Sequence, residues 1–581
     1  MANQPPAFTL TIDGPLAVTL GRATSDRTRD LATRLDAVAA GLVAFPFGLV
    51  LVATAGFAVG VPLHPAVMLP AAILTLVVLR RTSVTWIETA LTAAAVLVAH
   101  GVALLIALAT LDPSYDGLWY HQEAVLRLAA GWNPIYEDPA LYGSRDPEGG
   151  LLAGLAYAKA GWIMAAPVFQ AVGRIEASKL FTLTLMLAVG CYTAATLLRW
   201  HVVGRRWALL LGGLAAFSPV AVYQSVTFYV DGLLACCLTM LCLGLTRGLV
   251  APARWPSFVA AASACLLANL KYTGVVYLGF FLSVAILATR WTHGRAVAWR
   301  QAASWGLLVM LSIGGVGYAP YAINVLRHHN PFYPVATAGG FNQRIVSNNW
   351  PPDIAARNRV SRFLTVNFAE ANGDYPPPAT TAKFPLVVRS AEMSAWRIGD
   401  ARIGGLGPLY GALLVAGLIL VLACLAGGRQ DPIQAACLIV ACVLVASVFV
   451  HSEGWWARYA PQAWLVPLAV ATGALRARPR LLRWGGSALV AMAALNSLLV
   501  IGGVAGSQVA YRAAVDASLR EMASVGEVQV YMHRLMSLRR RLTEAGIMFR
   551  VSDARPGPDV VRHAIPSADP ADSFWWTEGS R

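Results

Sequence analysis

Long apolar runs separated by short basic loops dominate this chain from residue 38 onward. A helix that crosses a bilayer needs about 20 mostly apolar residues. On that measure about 13 segments qualify as candidate spans. They are 38–60, 66–81, 86–110, 176–198, 206–222, 232–250, 256–271, 273–290, 302–320, 405–426, 433–450, 460–476 and 485–506. Segments 206–222 and 256–271 are short, and losing either would invert every later crossing. The expected fold class is an all-α polytopic membrane protein.

The charges test that count. Arg22, Arg27, Arg29 and Arg34 precede the first run and place the N-terminus in the cytoplasm. Every even-numbered span then ends in a basic loop: Arg80/Arg81, Arg199–Arg206, Arg247/Arg254, Arg290–Arg300, Arg429 and Arg476–Arg483. The short loops on the opposite side are poor in Lys and Arg. The expected organisation is a cytoplasmic tail, 1–37, a membrane domain, 38–506, and an extracytoplasmic tail, 507–581. The first 37 residues are polar, so they do not read as a signal peptide.

Three stretches fall on the outer side. In the loop 111–175, the half-apolar segment 151–172, with Tyr157, Lys159 and Arg174 around it, is expected to lie along the membrane interface. The loop 321–404 is rich in Pro and Asn and reads as irregular. In the tail, Val528–Met532, Arg534–Ala545 and Ile547–Val551 alternate as strand, helix and strand, a small α/β appendage.

Composition agrees. The 581 residues are 57% hydrophobic and 13% charged, against about 25% charged in soluble domains. The net charge of +15 sits in the loops and marks a membrane face; no basic patch interleaves with aromatics, so no nucleic-acid partner is expected. All eight cysteines lie in apolar segments and read as small buried hydrophobes, not as disulfides or metal ligands. There is no P-loop, no Gly-x-Ser-x-Gly and no His-Glu-x-x-His, and no inner-face room for a nucleotide-binding domain. An activated substrate on the outer face would therefore arrive on a lipid.

Acidic residues are scarce here, so their positions are informative. Asp112-Pro-Ser-Tyr-Asp116-Gly-Leu-Trp-Tyr120-His121-Gln-Glu123 opens the first outer loop. A helix starting at Asp116 would place Asp116, Tyr120, Glu123 and Arg127 on one face. The plainer alternative makes Asp116 a cap and Glu123–Arg127 an ordinary i,i+4 pair. Asp231, in Phe228-Tyr-Val-Asp231-Gly, sits at the outer boundary of an apolar run, as a functional group or as a helix cap. Lys271, in Asn269-Leu-Lys271-Tyr-Thr-Gly274, is a lone cation at a span end, where snorkelling is the alternative. In Glu453-Gly-Trp-Trp-Ala-Arg458-Tyr459 the rings read as an aromatic belt, while Arg458 suits a phosphate or a lipid headgroup. His451 reads as a packed histidine, and His328/His329 lack a third ligand at metal spacing.

At these residues the chain resembles the GT-C glycosyltransferases, in the branch of protein mannosyltransferases and lipid A aminoarabinose transferase. Asp116-Gly-Leu-Trp-Tyr120 followed by Gly131-Trp-Asn-Pro, Phe228-Tyr-Val-Asp231, Lys271-Tyr-Thr-Gly, Asn330-Pro-Phe-Tyr-Pro and Trp-Trp-Ala-Arg458-Tyr carry the likeness, over roughly residues 86–476. Gly117 stands where the family motif commonly has a second acidic residue, and the first two spans look like additions.

The resemblance implies a GT-C-like fold and inverting transfer of a sugar from a polyprenyl-phosphate donor to a glycan, lipid or protein acceptor, at the outer face of the plasma (inner) membrane. On that expectation Asp116 is the base, Asp231 and Glu123 orient acceptor or sugar, and Tyr120, His121, Lys271 and Arg458 contact substrate, with Lys271 and Arg458 on the phosphate. No metal ligand is assigned, although a divalent metal could take part in offsetting phosphate charge. The alternatives are a polysaccharide polymerase or ligase using lipid-diphosphate-linked glycans, and a transporter or flippase. Transporters often carry inverted repeats, and none is seen here.

Overall fold

The computed structural model describes residues 26–142, 150–337, 340–341, 349–427, 431–557 and 559–577. Arg22 and Arg429 lie outside them. The molecule is mostly helical. Among the described residues, eight helices are long and apolar enough to cross a membrane, including Trp86–Ala109, Asp231–Val250, Tyr272–His293 and the 46-residue Arg480–Val525. Their outward faces are apolar: Leu91, Leu97, Val98 and Leu105 on one helix are all exposed. Water would not tolerate apolar faces repeated on this scale, whereas lipid does.

The other five expected spans also fold as helix, but shorter. Segment 206–222 breaks into Arg205–Ala216 and Pro219–Gln224, because Pro219 has no N–H to continue the ladder. Segment 256–271 becomes Phe258–Leu270, 405–426 becomes Tyr410–Ala426, 433–450 becomes Pro432–Val448, and 460–476 becomes Leu465–Arg476 after one 3-10 turn.

The basic helix ends meet. Asp36 takes Arg199 and Arg247 (2.7 Å), and Arg247 also packs over the Tyr192 ring. Arg476 reaches both Asp431 (2.7 Å) and the His201 carbonyl (2.8 Å), and His293 bonds Leu249 O (2.7 Å). Four of the six basic loops read from the sequence are thereby drawn to one end of the bundle.

Two expectations for the loops change. Segment 151–172 does not lie open along a surface. It folds as Gly150–Leu155 and Ala160–Val172 and is packed into the core, with Trp162, Ile163, Met164 and Ala166 buried. Its apolar residues surround the helix instead of forming one stripe, which suits burial on all sides. The loop up to residue 404 is not wholly irregular either: helix Arg359–Asn367 and the bridges Ala369↔Ala382 and Asn372↔Ile403 order it.

The tail folds as strand, helix, strand. Val528–Tyr531 pairs in parallel with Phe549–Val551 across helix Leu538–Glu544. Phe574–Trp576 and His563–Ala564 add antiparallel strands, giving the order 549–528–574–563 by first residue. The eight cysteines are free. Cys442 alone is exposed, on an apolar helix.

Candidate functional site: a buried charged cluster

The segment leaving helix Trp86–Ala109 is knotted at Asp112. Its backbone N–H donates to Glu176, Oδ1 accepts from Ser114 N (2.8 Å), and Oδ2 accepts from Phe228 N (3.1 Å) and Gln122 Nε2 (3.3 Å). Burial, and then the Glu176 charge, push the Asp112 carboxyl up to about 6. These bonds tie the Asp116 segment to the 228–231 turn, more than 100 residues away in sequence.

Between Asp116 and Gln122 the chain makes a π turn, Gly117–His121. The extra residue breaks the 3.6-residue register, so the single-face expectation for Asp116, Tyr120, Glu123 and Arg127 fails. Glu123, fully buried, turns to Arg127 (3.9 Å) and to Arg539 of the tail (2.8 Å), and so belongs to a different contact from that of Asp116.

Gly117 has a reason of its own. A Cβ there would lie 2.0 Å from Asp112 Oδ2 and 2.2 Å from Ser114 Oγ, so the place of a second acidic side chain is already filled. Gly117→Ala is expected to cost about 1–3 kcal/mol by overpacking, read as a lowered melting temperature of the purified protein. An unchanged melting temperature would mean that Asp112 has room to move.

Asp116 itself lies beside Arg458: Oδ2 is 3.4 Å from Nη1. Burial raises its carboxyl above the ordinary range, while Arg458 pulls it down. Arg458 is also 3.7 Å from Asp400, whose Oδ1 accepts from Trp456 Nε1 (2.9 Å) and whose Oδ2 is 3.4 Å from Arg402. Trp456 therefore does not act as a belt anchor; it orients Asp400 and packs on both guanidiniums.

Deeper, Asp231 is 2.5 Å from Lys271, whose ammonium lies 3.9 Å from the Tyr459 ring centroid. Gln224 holds this pair: Nε2 donates to Asp231 Oδ2 (3.3 Å) and to Gly399 O (3.4 Å), and Oε1 accepts from Gly232 N (2.7 Å). The turn at Gly399 needs φ +71° and packs on Thr227 with no space for a Cβ.

The Asp231–Lys271 pair allows a stability test. Lys271→Met leaves a buried carboxylate without its cation and is expected to cost about 3 kcal/mol. The double variant with Asp231→Asn should lose less than Lys271→Met alone. If the two single losses simply add, the residues are not coupled.

The structure thus gathers Asp116, Asp231, Lys271 and Arg458, as the sequence suggested, and adds Asp400 and Arg402. These two were hidden in a loop treated as irregular. The signal was available: Gly399-Asp400-Ala-Arg402-Ile-Gly is a charge pair at the foot of an apolar span, the same placement that drew attention to Asp231.

Three carboxylates face three cations, but not all donors are used. Arg458 Nε, Arg402 Nε and Nη1, and the Tyr223 hydroxyl are buried without a hydrogen-bond partner. Two of the six charged side chains retain access from outside, Asp116 at 23% and Lys271 at 22% exposure. Tyr120 packs edge-on against Tyr157 beside them. His121 is buried behind Tyr120 and accepts from Trp162 Nε1 through Nδ1 (2.7 Å). Burial lowers its pKa to about 3, so it is a neutral ring with its proton on Nε2.

Among the described residues, the single set of three metal-type ligands within reach of one another is His533, Asp569 and Asp572, in the tail. Arg555 also reaches Asp572 (3.3 Å). An open hollow lined by Asn358, Arg359, Val360, Ser361, Leu364, Thr365 and Phe449 shares no residue with the charged cluster. Comparison of the chain with family models, with curated proteins and with solved structures finds no match.

Proposed function

We propose that this protein is an inverting glycosyltransferase that moves a sugar from a polyprenyl-phosphate donor to an acceptor hydroxyl, with the basic end of the bundle in the cytoplasm and the charged cluster at the outer face. One observation carries the reading: a partly accessible carboxylate, Asp116, lies 3.4 Å from Arg458, and Arg458 and Arg402, which share Asp400, each keep buried donors without an acceptor. Buried N–H groups without partners cost free energy unless a ligand completes them. The oxygens of a phosphate would complete them.

In this reading the acceptor oxygen attacks the anomeric carbon and Asp116 takes its proton. The bond from that carbon to the donor phosphate oxygen breaks, and the electron pair leaves with the polyprenyl phosphate. Arg458, Arg402 and Lys271 stabilise the charge that grows on it. Asp231 fixes Lys271, Asp400 fixes the two arginines, and Tyr120 offers a face to the sugar. The apolar chain of the donor needs only apolar helix walls, which the lipid-facing surface supplies. Glu123 keeps no direct part, because its carboxylate is engaged by the tail.

The test is transfer from two radiolabelled donors in membranes carrying the protein, a polyprenyl-phosphate sugar and a polyprenyl-diphosphate oligosaccharide. Label appearing in acceptor from the first supports the reading. Label appearing only from the second replaces it with a polymerase or ligase.

A further inference from the structure

The side of the Asp116 segment that faces away from the charged cluster is held by the C-terminal tail. Leu118, two residues after Asp116, is 1% exposed and belongs to the tail's own buried core, with Met522, Val530, Leu538 and Trp575. Its carbonyl accepts from Ser537 Oγ (2.6 Å). Arg534 lies over the Trp119 ring.

Helix Leu538–Glu544 then sends three consecutive arginines to this segment and its base. Arg539 grips Glu123 with both nitrogens, Nη1 at 2.8 Å and Nη2 at 3.1 Å. Arg541 donates to Asp112 O (2.9 Å), to Glu176 (3.1 Å) and to the Tyr511 hydroxyl (2.8 Å). Arg540 reaches Gly173 O (2.7 Å) and Glu544, and Glu544 in turn accepts from Ile175 N (2.8 Å).

Before and after Asp116, at 112, 118 and 123, the chain is thus fastened to the tail, and the π turn, Gly117–His121, contains the second tie and ends just before the third. An independent appendage would meet the membrane domain through a few surface contacts. Here the residue next but one to the candidate base is a core residue of the appendage.

We propose that the tail is a positioning clamp: Arg539, with the pocket that receives Leu118, sets where the Asp116 carboxylate stands relative to Arg458. Arg539 is a positioning residue in this scheme; it touches no reacting atom. The consequence for rate rests on the transferase reading above, whereas the clamp itself does not. Misplacing a catalytic group by about 1 Å costs on the order of 100-fold in rate, so a loosened clamp acts on kcat more than on KM.

The experiment uses the full chain in lipid nanodiscs and compares wild type, Arg539→Ala and Arg539→Lys by amide hydrogen exchange and by transfer from the polyprenyl-phosphate sugar. For Arg539→Ala, exchange at residues 117–123 should rise about tenfold with helix 272–293 unchanged. Its kcat should fall at least about tenfold with the donor KM nearly constant, and Arg539→Lys should recover part of both. Unchanged exchange in Arg539→Ala overturns the clamp, whether or not wild type transfers sugar. Faster exchange with undiminished kcat overturns the positioning role. If wild type transfers nothing from this donor, the functional reading fails by itself and exchange alone decides the clamp. Should Arg539→Ala fail to fold, Leu118→Ala, which empties the pocket without uncovering a charge, is measured the same way.

Discussion

Asp116→Asn should abolish sugar transfer, by about 1,000-fold or more, while the protein folds and purifies as before. The substitution keeps the shape of the side chain and an oxygen for Arg458, 3.4 Å away. It replaces the carboxylate, which can take the acceptor's proton, with an amide that is too weak a base to do so. Because burial holds the Asp116 carboxyl above its ordinary range, the wild-type rate should climb as pH rises through that elevated value and then level off. The base works only once its proton has left, so the loss of activity lies on the acid side. The variant should show no such limb in its residual rate. Initial-rate assays across pH, with melting curves of both proteins, check this; full activity in Asp116→Asn would remove the assignment.

Arg458→Leu carries the second large effect. Arg458 is 8% exposed and lies between Asp116 and Asp400. Its loss takes the nearest cation from Asp116 and one of two from Asp400, at a cost of about 3 kcal/mol in stability. Transfer should fall at least about 100-fold, since charge on the departing phosphate loses a fixed donor. A third consequence separates this role from simple packing: Arg458 pulls the Asp116 carboxyl down, so removing it should move the acid limb of the rate to higher pH. Arg458→Lys keeps the charge but not the planar fork. It should therefore leave the limb close to its wild-type position and recover only part of the rate. A limb that stays put in Arg458→Leu would show that the two groups do not communicate.

The legible and the hidden parts of this site differ by the range of the signal. Asp116, Asp231, Lys271 and Arg458 stood out because each is an ionisable group at the end of an apolar run, and that is a local property. Asp400 and Arg402 have the same local property, yet they were masked by the Pro- and Asn-rich stretch before them. The π turn was invisible: no residue type in Gly-Leu-Trp-Tyr-His demands it, and it follows from packing Leu118 into one core and Tyr120 into another. That turn moved Glu123 from the expected face to the tail. The tail's strand, helix and strand are legible because their periodicity is local, but its contact with Leu118 joins residues more than 400 positions apart.

Hydropathy, loop charge and turn residues by themselves determined a helical membrane protein with a small α/β tail, because burial in lipid or in a core imposes its period on every stretch of chain independently. Only the tertiary structure decided that Asp400 and Arg402 complete the charged cluster, that Gly117 must lack a side chain, and that the tail grips the segment bearing Asp116. Those facts depend on which distant groups share one small volume, and the Coulomb and steric terms that govern such sharing act over a few ångströms of space, not along the chain.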